Sequence, residues 1–401
     1  MKILFTITGP WGTGAATVVE GIAGELLEKG HTVKMVFPDL GLPSPDKDRY
    51  YRSPERYHII RFPFDYRGVN FYTFPLIIPD PNPRNLEAAW TFKTMTAEQF
   101  SIYIEFLHQH LRGVVEDFRP DVIETEHVWL MGYVLKKLGC RYLAGAHNSD
   151  QMGFRYDARM RPYARACAQG ADRIFAISES VKQECLKLYR IKPEKVVVIP
   201  SGYDATIFRP LRVSKASLFA RFEIAADPSL PVVTFSGKMS RTKGVDTLLA
   251  ANARLQAEHP CLLFLFGAGN LEEALGRPPT KGELRNVFLM GHATQDVLAL
   301  FHSIAEFSAA PSREEGFCVS ALEAMGCGVP VVGSDIPPLR ELIVGALVAR
   351  ENPEELADGM ARLLRLPAER KKGLKRSALR KARQYSWKIN AAARLRYYLQ
   401  P

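Results

Sequence analysis

Residues 312–332 read SREEGFCVSALEAMGCGVPVV, a polar turn that passes into a helix pattern and then into a short β-branched strand. The segment EEGFCVSALEAMG joins a loop to a helix whose first turn lies near Val319. Free amides at a helix start, together with the helix dipole, bind anions, and Gly316 lets backbone come close to a ligand. Glu315 falls at the mouth of this loop, and Glu323, eight residues on, lies about one turn into the helix. A carboxylate beside a bound phosphate makes sense when it bonds to neutral hydroxyls, such as those of a sugar or a ribose. The competing reading of these residues alone is a capped surface helix with two ordinary glutamates.

Outward from this segment, short apolar runs alternate with helix-like stretches. The strand candidates are 3–7, 32–37, 121–125, 142–146 and 173–177, then 196–200, 232–236, 262–266, 287–290, 307–310 and 330–333. Between the first two, Val18, Val19, Ile22, Ala23, Leu26 and Leu27 recur at helical spacing, and Gly30 is placed to end the helix. Parallel strands need crossovers, so this alternation predicts parallel sheets covered on both faces. It occurs twice, with a break around 200–215. The expected fold is α/β: two doubly wound, Rossmann-like domains facing a central cleft, with ligands at the carboxyl ends of the strands.

The chain has 401 residues, enough for two domains of about 150–200 each. With 47% hydrophobic and 24% charged residues it has the composition of a globular protein. No run approaches the roughly 18–20 apolar residues of a membrane span, and MKILFTITGP reads as a first strand rather than a signal peptide. The six cysteines are scattered without a CxxC pair, which suits buried thiols in a reducing compartment and offers no zinc spacing. A cytoplasmic location is expected. The net charge of +10 suits an anionic substrate or membrane face; without a nucleic-acid-binding signature, no nucleic-acid partner is expected.

Three further segments carry chemistry. FSGKMSRTKGVDTLL ends a strand at Gly237 and presents Lys238, Arg241 and Lys243, cations that suit a diphosphate leaving group. TGPWGTGAA places Gly9, Gly12 and Gly14 between a strand and a helix, a loose dinucleotide fingerprint that is not a P-loop. Residues 40–85 are rich in Pro and aromatics and read as a long functional loop or a self-packed surface excursion. Within them Asp46-Lys47-Asp48 matches a D-x-D pattern, but no hydrophobic strand precedes it and it is read as chance. Near the end, RKKGLKRSALRKAR (370–383) is a basic helix-like segment, a solvated face or a contact for anionic lipid.

Together these segments resemble the retaining glycosyltransferases of family four, which have the GT-B fold. Glu315 and Glu323 fit the family's E-x7-E pattern. ADRIFAISES, VVVIPSGYDATIFRP, FLFGAGN, VFLMGHATQDVLALFHSIAEF and the closing SWKINAAARLRYYLQ resemble its other segments. The resemblance implies an acceptor-binding domain at 1–200, a nucleotide-sugar-binding domain at 201–384 and a closing helix at 385–401 that returns to the first. It implies that Glu315 meets hydroxyls of the transferred sugar, with the amides of Gly316, Phe317 and Cys318 nearby. Val319 and Ser320 amides would face the diphosphate, Glu323 the ribose, and Lys238 and Lys243 the diphosphate. Gly12, Gly14 and Gly237 would line the donor site, and the strand end at Met290 and Gly291 the base. His127 corresponds to a family histidine near the sugar, one residue out of step, and His147 with Asn148 would lie near the acceptor. Cys318 departs from the family, which usually has Gly there, and Lys238 stands where Arg is commoner.

The implied activity is transfer of a glucose- or mannose-type hexose, with retention and without metal or other cofactor. The donor would be a UDP- or GDP-sugar and the acceptor a hydroxyl of a glycan, lipid or small molecule, with peripheral contact to an anionic membrane. The alternatives are a nucleotide-sugar epimerase of the same architecture and a non-catalytic nucleotide-sugar-binding protein.

Overall fold

Apolar runs too short to form helices that bury both sides instead lie side by side as strands. In the computed structural model, which describes residues 1–11, 13–41, 48–79 and 90–399, they build two sheets in two units. The first unit is Met1–Ser201 with Asn390–Pro401. Its strands are β1 (Lys2–Ile7), β2 (Thr32–Asp39), β3 (Tyr57–Arg61), a small hairpin of β4 (Phe64–Tyr66) and β5 (Val69–Phe71), β6 (Val122–Glu126), β7 (Leu143–Ala146), β8 (Ile174–Ala176) and β9 (Val196–Val198). The main sheet is parallel, in the order β3-β2-β1-β6-β7-β8-β9. Helix Gly14–Glu28 buries Val18, Val19, Ile22, Ala23 and Leu26, the face that the spacing predicts.

The second unit is Gly202–Ile389. Its strands are β10 (Val232–Ser236), β11 (Leu262–Phe266), β12 (Val287–Gly291), β13 (Phe307–Ala310), β14 (Val331–Ser334) and β15 (Gly345–Val348). They form a parallel sheet in the order β12-β11-β10-β13-β14-β15. Every residue of β11, LLFLF, is buried, as a strand covered on both faces requires. On one face Leu248, Leu249 and Leu255 from helix Val245–Glu258 and Leu356, Met360 and Leu363 from helix Pro353–Arg365 share a core with Val233, Leu263 and Val332 of the strands.

In each sheet the chain moves outward in one direction, then returns to the other side of the starting strand. The reversals fall between β1 and β6 and between β10 and β13. The carboxyl ends of the strands at such a reversal are where these sheets hold ligands.

The strand candidates lacked β3 and the β4–β5 hairpin, all inside the aromatic stretch at 40–85, and β15. Of these, β3 and β15 are edge strands of their sheets. Their burial is incomplete, so the apolar run that marks an inner strand is thinned. Helix Trp387–Tyr398 closes the described chain, and from Asn390 onward it packs with the first unit. The D-x-D residues Asp46 and Lys47 lie outside the described residues. Among the described residues no helix is long and apolar enough to cross a membrane.

Two glycines separate conformational cost from steric cost. Gly30 has φ +78°, and a Cβ there would meet nothing within 4 Å. Gly244 has φ +69°, and a Cβ there would lie 1.9 Å from the Pro311 carbonyl oxygen. Gly30→Ala is expected to cost about 1 kcal/mol. Gly244→Ala is expected to cost at least about twice that, because backbone must also move. Comparable losses in urea unfolding would contradict this packing of the 237–244 loop on Pro311.

Candidate active site

The loops after β10 and β13 stand at the reversal in the second unit's sheet. Gly244, in a left-handed conformation, caps helix Val245–Glu258 and lets its loop rest against Pro311. Arg313 fastens the two loops together. Its backbone N–H donates to the Thr242 carbonyl at 2.8 Å, and its guanidinium makes two bonds to the Asp246 carboxylate at 2.7 and 2.8 Å. A third bond, from Nε, reaches Glu351 at 2.6 Å. This fork geometry fixes a plane as well as a distance.

Held in this way, Lys243 Nζ donates to Glu315 Oε1 at 2.7 Å, and Ser312 Oγ donates to the same oxygen at 2.7 Å. The Glu315 side chain is 8% exposed and that of Lys243 is 32% exposed. Burial acts to lower the Lys243 pKa, but the Glu315 carboxylate and Cys318 outweigh it, so the ammonium titrates above its ordinary range. Lys243 is therefore a fixed cation.

Next to this pair, helix Val319–Gly326 begins as the sequence predicts, with its first amides at Val319 and Ser320. Gly316, Phe317 and Cys318 are buried on the approach to it. Cys318 caps the helix at φ +78°, a conformation that favours glycine, and burial pushes its thiol up to about 12. Its Sγ lies 3.6 Å from Ser320 Oγ. Glu323 is 9% exposed, and burial raises its carboxyl to about 8, so at neutral pH it carries a proton and can donate as well as accept. Gly237 and the exposed Lys238 follow β10 directly. Met290 and Gly291 end β12, where the Gly291 carbonyl accepts from the Gly267 N–H at 2.8 Å.

The remaining expected residues lie in the first unit. His127 follows β6 at φ +76° and is 5% exposed, with its N–H donating to the Gly145 carbonyl at 3.1 Å. Its ring lies 5.3 Å from that of His147, which follows β7. Burial, with each other's proximity in the case of His127, lowers both imidazoles to about 4, so both are neutral at neutral pH. Asp150 accepts the backbone N–H groups of Val128 at 3.1 Å and His147 at 3.0 Å, tying the two strand ends together. His147 Nε2 is 2.5 Å from Glu126 Oε2. Asn148 caps helix Ser149–Tyr156 at φ +76°. Gly14 starts helix Gly14–Glu28, exposed, with space for a Cβ, and Gly12 lies outside the described residues.

The sequence places Glu315, Lys243 and the Val319 amides together, and sets His127 near the transferred sugar and His147 with Asn148 near the acceptor. The structure brings Lys243 to Glu315 and the His127 ring beside that of His147. Sequence reasoning missed Ser312, Arg313 and Asp150. Neither Ser312 nor Arg313 has a periodic signal: Ser312 bonds within its own loop to Glu315, and Arg313 reaches Asp246, 67 residues away in sequence. Among the described residues no three His, Cys, Asp or Glu side chains converge as a metal site would.

Two family models divide the chain much as its sheets do. Glycosyltransferase Family 4 matches residues 12–206, and Glycosyl transferases group 1 matches residues 218–381. A D-inositol 3-phosphate glycosyltransferase of Segniliparus rotundus is 30% identical over 305 residues, 71% of this chain and 67% of that one.

The chain is a group 1 glycosyltransferase of family four.

Solved structures agree on its GT-B fold. Sucrose-phosphate synthase from Thermosynechococcus elongatus superposes with a TM-score of 0.73 at 20% identity, covering 99% of this chain and 98% of that one. Anabaena HepE, solved in complex with UDP and glucose, gives 0.72 at 15% identity over 99% of both chains.

In this glycosyltransferase the protonated Glu323 links the site to pH. Its folded pKa of about 8 lies above the ordinary 4.5, so the folded protein holds a proton that the unfolded chain releases. Its contribution to stability is full below about pH 4.5 and is lost as pH rises toward 8. Glu323→Gln keeps the shape and cannot ionise. Urea unfolding at about pH 5 and pH 8 should show a smaller loss for the variant than for wild type. Equal losses would place Glu323 in a solvated setting.

Proposed function

We propose that this glycosyltransferase moves a hexose from a nucleoside-diphosphate sugar to a hydroxyl of a small polyhydroxylated acceptor, with retention at the anomeric carbon and without metal. The observation that carries this reading is the Lys243–Glu315–Ser312 constellation at the start of helix Val319–Gly326. Lys243 and the first amides of the helix form a positive wall, with the exposed Lys238 on the same loop adding charge. Both internal bonds to Glu315 land on Oε1, which leaves Oε2 to accept from hydroxyls of the transferred sugar. Glu323, neutral at pH 7, can meet a ribose hydroxyl without repelling the diphosphate.

In this mechanism the acceptor hydroxyl attacks on the face that the phosphate leaves. The bond from the anomeric carbon to the diphosphate oxygen breaks as the new glycosidic bond forms, and the departing phosphate takes the acceptor's proton. Lys243 and the helix amides stabilise the charge that develops on that oxygen. Retention through a covalent intermediate would need a second carboxylate about 5 Å from its partner. Glu315, committed to Lys243 and Ser312, is better suited to holding hydroxyls.

The donor class draws support from HepE, whose structure holds UDP and glucose, and the acceptor class from the relatives named for D-inositol 3-phosphate. UDP and GDP both suit the site. Contact with an anionic membrane is a separate part of the proposal. It rests on helix Ala368–Ala382, where Lys372, Lys375, Arg376 and Arg380 are exposed.

The test is a screen of labelled UDP- and GDP-hexoses against inositol, inositol phosphates, simple sugars and a lipid extract, with and without EDTA. Transfer should persist in EDTA, and the product anomer should match that of the donor. Lys243→Ala and Glu315→Ala should each lower the rate at least about tenfold with the fold retained. Release of an epimerised nucleotide sugar, binding without transfer, or near-normal rates in either variant would overturn the assignment. Failure to bind anionic vesicles at low salt would remove the membrane part alone.

A further inference from the structure

Beneath the strand-end histidines of the first unit lies a line of ionisable side chains that the proposed mechanism does not use. Glu124 and Glu126 are two residues apart on β6, so they point to the same face of the sheet, and both are 0% exposed. Arg394, from the closing helix Trp387–Tyr398, reaches the same place and is also 0% exposed. Its guanidinium contacts Glu124 directly and lies 3.5 Å from Glu126 Oε1 through the same Nη1. It is held by a bond from Nε to Asn390 Oδ1 at 3.0 Å and by the Phe175 ring, 4.9 Å away. Tyr398, one turn further along the helix, donates its hydroxyl to Glu124.

One guanidinium therefore serves two carboxylates. Glu124 has the direct contact and the tyrosine hydroxyl as well, so Arg394 is neutralised there. Glu126 keeps the longer contact, 3.5 Å from the same Nη1, has no exposure to solvent, and has the Asp150 carboxylate nearby. Burial and Asp150 raise its pKa to about 8. Its Oε2 faces His147 Nε2 at 2.5 Å, across Gly145, where a Cβ would lie 1.7 Å from Oε2. The groups that face this pair are thus Arg394 and Tyr398 from the closing helix, Glu124 from β6, Asp150 from helix Ser149–Tyr156 and the neutral His127.

We propose that Arg394 is a positioning residue: because Glu124 captures its charge, Glu126 stays a carboxylic acid that donates its proton to His147 Nε2, which fixes His147 as the Nδ1–H tautomer. His147 then offers a hydrogen-bond donor, not an acceptor, at the end of β7. This chemistry suits an anionic or ether oxygen on a ligand better than a hydroxyl proton. That last step rests on the reading of His147 as an acceptor-side residue; the proton assignment does not.

The arrangement makes opposite predictions for two isosteric variants of the full chain. Glu126→Gln replaces the acid by an amide whose N–H can also donate to Nε2, so the Nδ1–H tautomer should remain. Glu124→Gln removes the competing charge and frees Arg394 for Glu126, which should ionise and pull a proton onto His147 Nε2. The imidazole pKa should then rise by about one unit or more. Imidazole 15N NMR on histidine-labelled protein, with the His147 signals assigned from His147→Gln, reads the tautomer directly.

The expected result is Nδ1–H in wild type and Glu126→Gln, and Nε2–H or imidazolium in Glu124→Gln. An Nε2–H tautomer in wild type, or a Glu124→Gln spectrum identical to wild type, would overturn the proposal. If Glu124→Gln does not fold, wild type still decides it, since an ionised Glu126 predicts Nε2–H or imidazolium there. Transfer at the wild-type rate by His147→Ala would instead refute the acceptor-side reading while leaving the tautomer assignment standing.

Discussion

The ion pair between Lys243 and Glu315 joins the loops after β10 and β13. A carboxylate as buried as Glu315, left without a cation, would cost several kcal/mol or take up a proton. Lys243, a third exposed, meets that need and keeps one side open to solvent and ligand. The rest of the second unit serves this contact. Gly244 lets one loop lie on Pro311, and Arg313 clamps Asp246 and Glu351 so that the distance is set before any ligand arrives. Preorganised cations next to a helix start are worth more than mobile ones, because no reorganisation is needed when charge develops.

The two units handle buried charge differently. In the second, Lys243 and Arg313 are paired with carboxylates, Lys243 keeps a solvent-facing side that suits an anion, and the buried Glu323 takes a proton. In the first, Glu124, Glu126 and Arg394 are sealed off, and the balance is completed by a proton instead of water. Sealed carboxylates respond to small changes in their neighbours, because each gained or lost charge has no solvent to screen it. One sheet end presents paired cations and the other neutral histidines.

The sheets were legible because parallel strands covered on both faces are near-continuously apolar, as ILFTI, VVTFS and LLFLF are. β3 was not, since YHIIR lies in a Pro- and aromatic-rich stretch that breaks the pattern, nor was the four-residue β15. The helix at Val319 could be read from its turn and its periodicity, and Glu315 with Lys243 from the kind of chemistry expected at strand ends. Their mutual contact could not be read, because it joins positions 72 apart. Arg313 illustrates the limit: between Ser312 and two glutamates it looks like surface charge, and only the fold turns it into a clamp. Glu124 and Glu126 did leave a sequence signal, two acids spaced for one face of a buried strand, which requires a buried cation from elsewhere in the chain. Which cation it was depended on where the closing helix returns.

The most direct test of this account is equilibrium binding of UDP, UMP, GDP and GMP to wild type and to Lys243→Met by calorimetry. If Lys243, held by Glu315, is the fixed cation for a diphosphate, the preferred diphosphate should bind wild type at least about tenfold more tightly than its monophosphate, a gap of roughly 1.4 kcal/mol. Most of that gap should vanish in Lys243→Met. Equal affinity for mono- and diphosphate, or a gap that survives the substitution, would contradict the site described for the second unit.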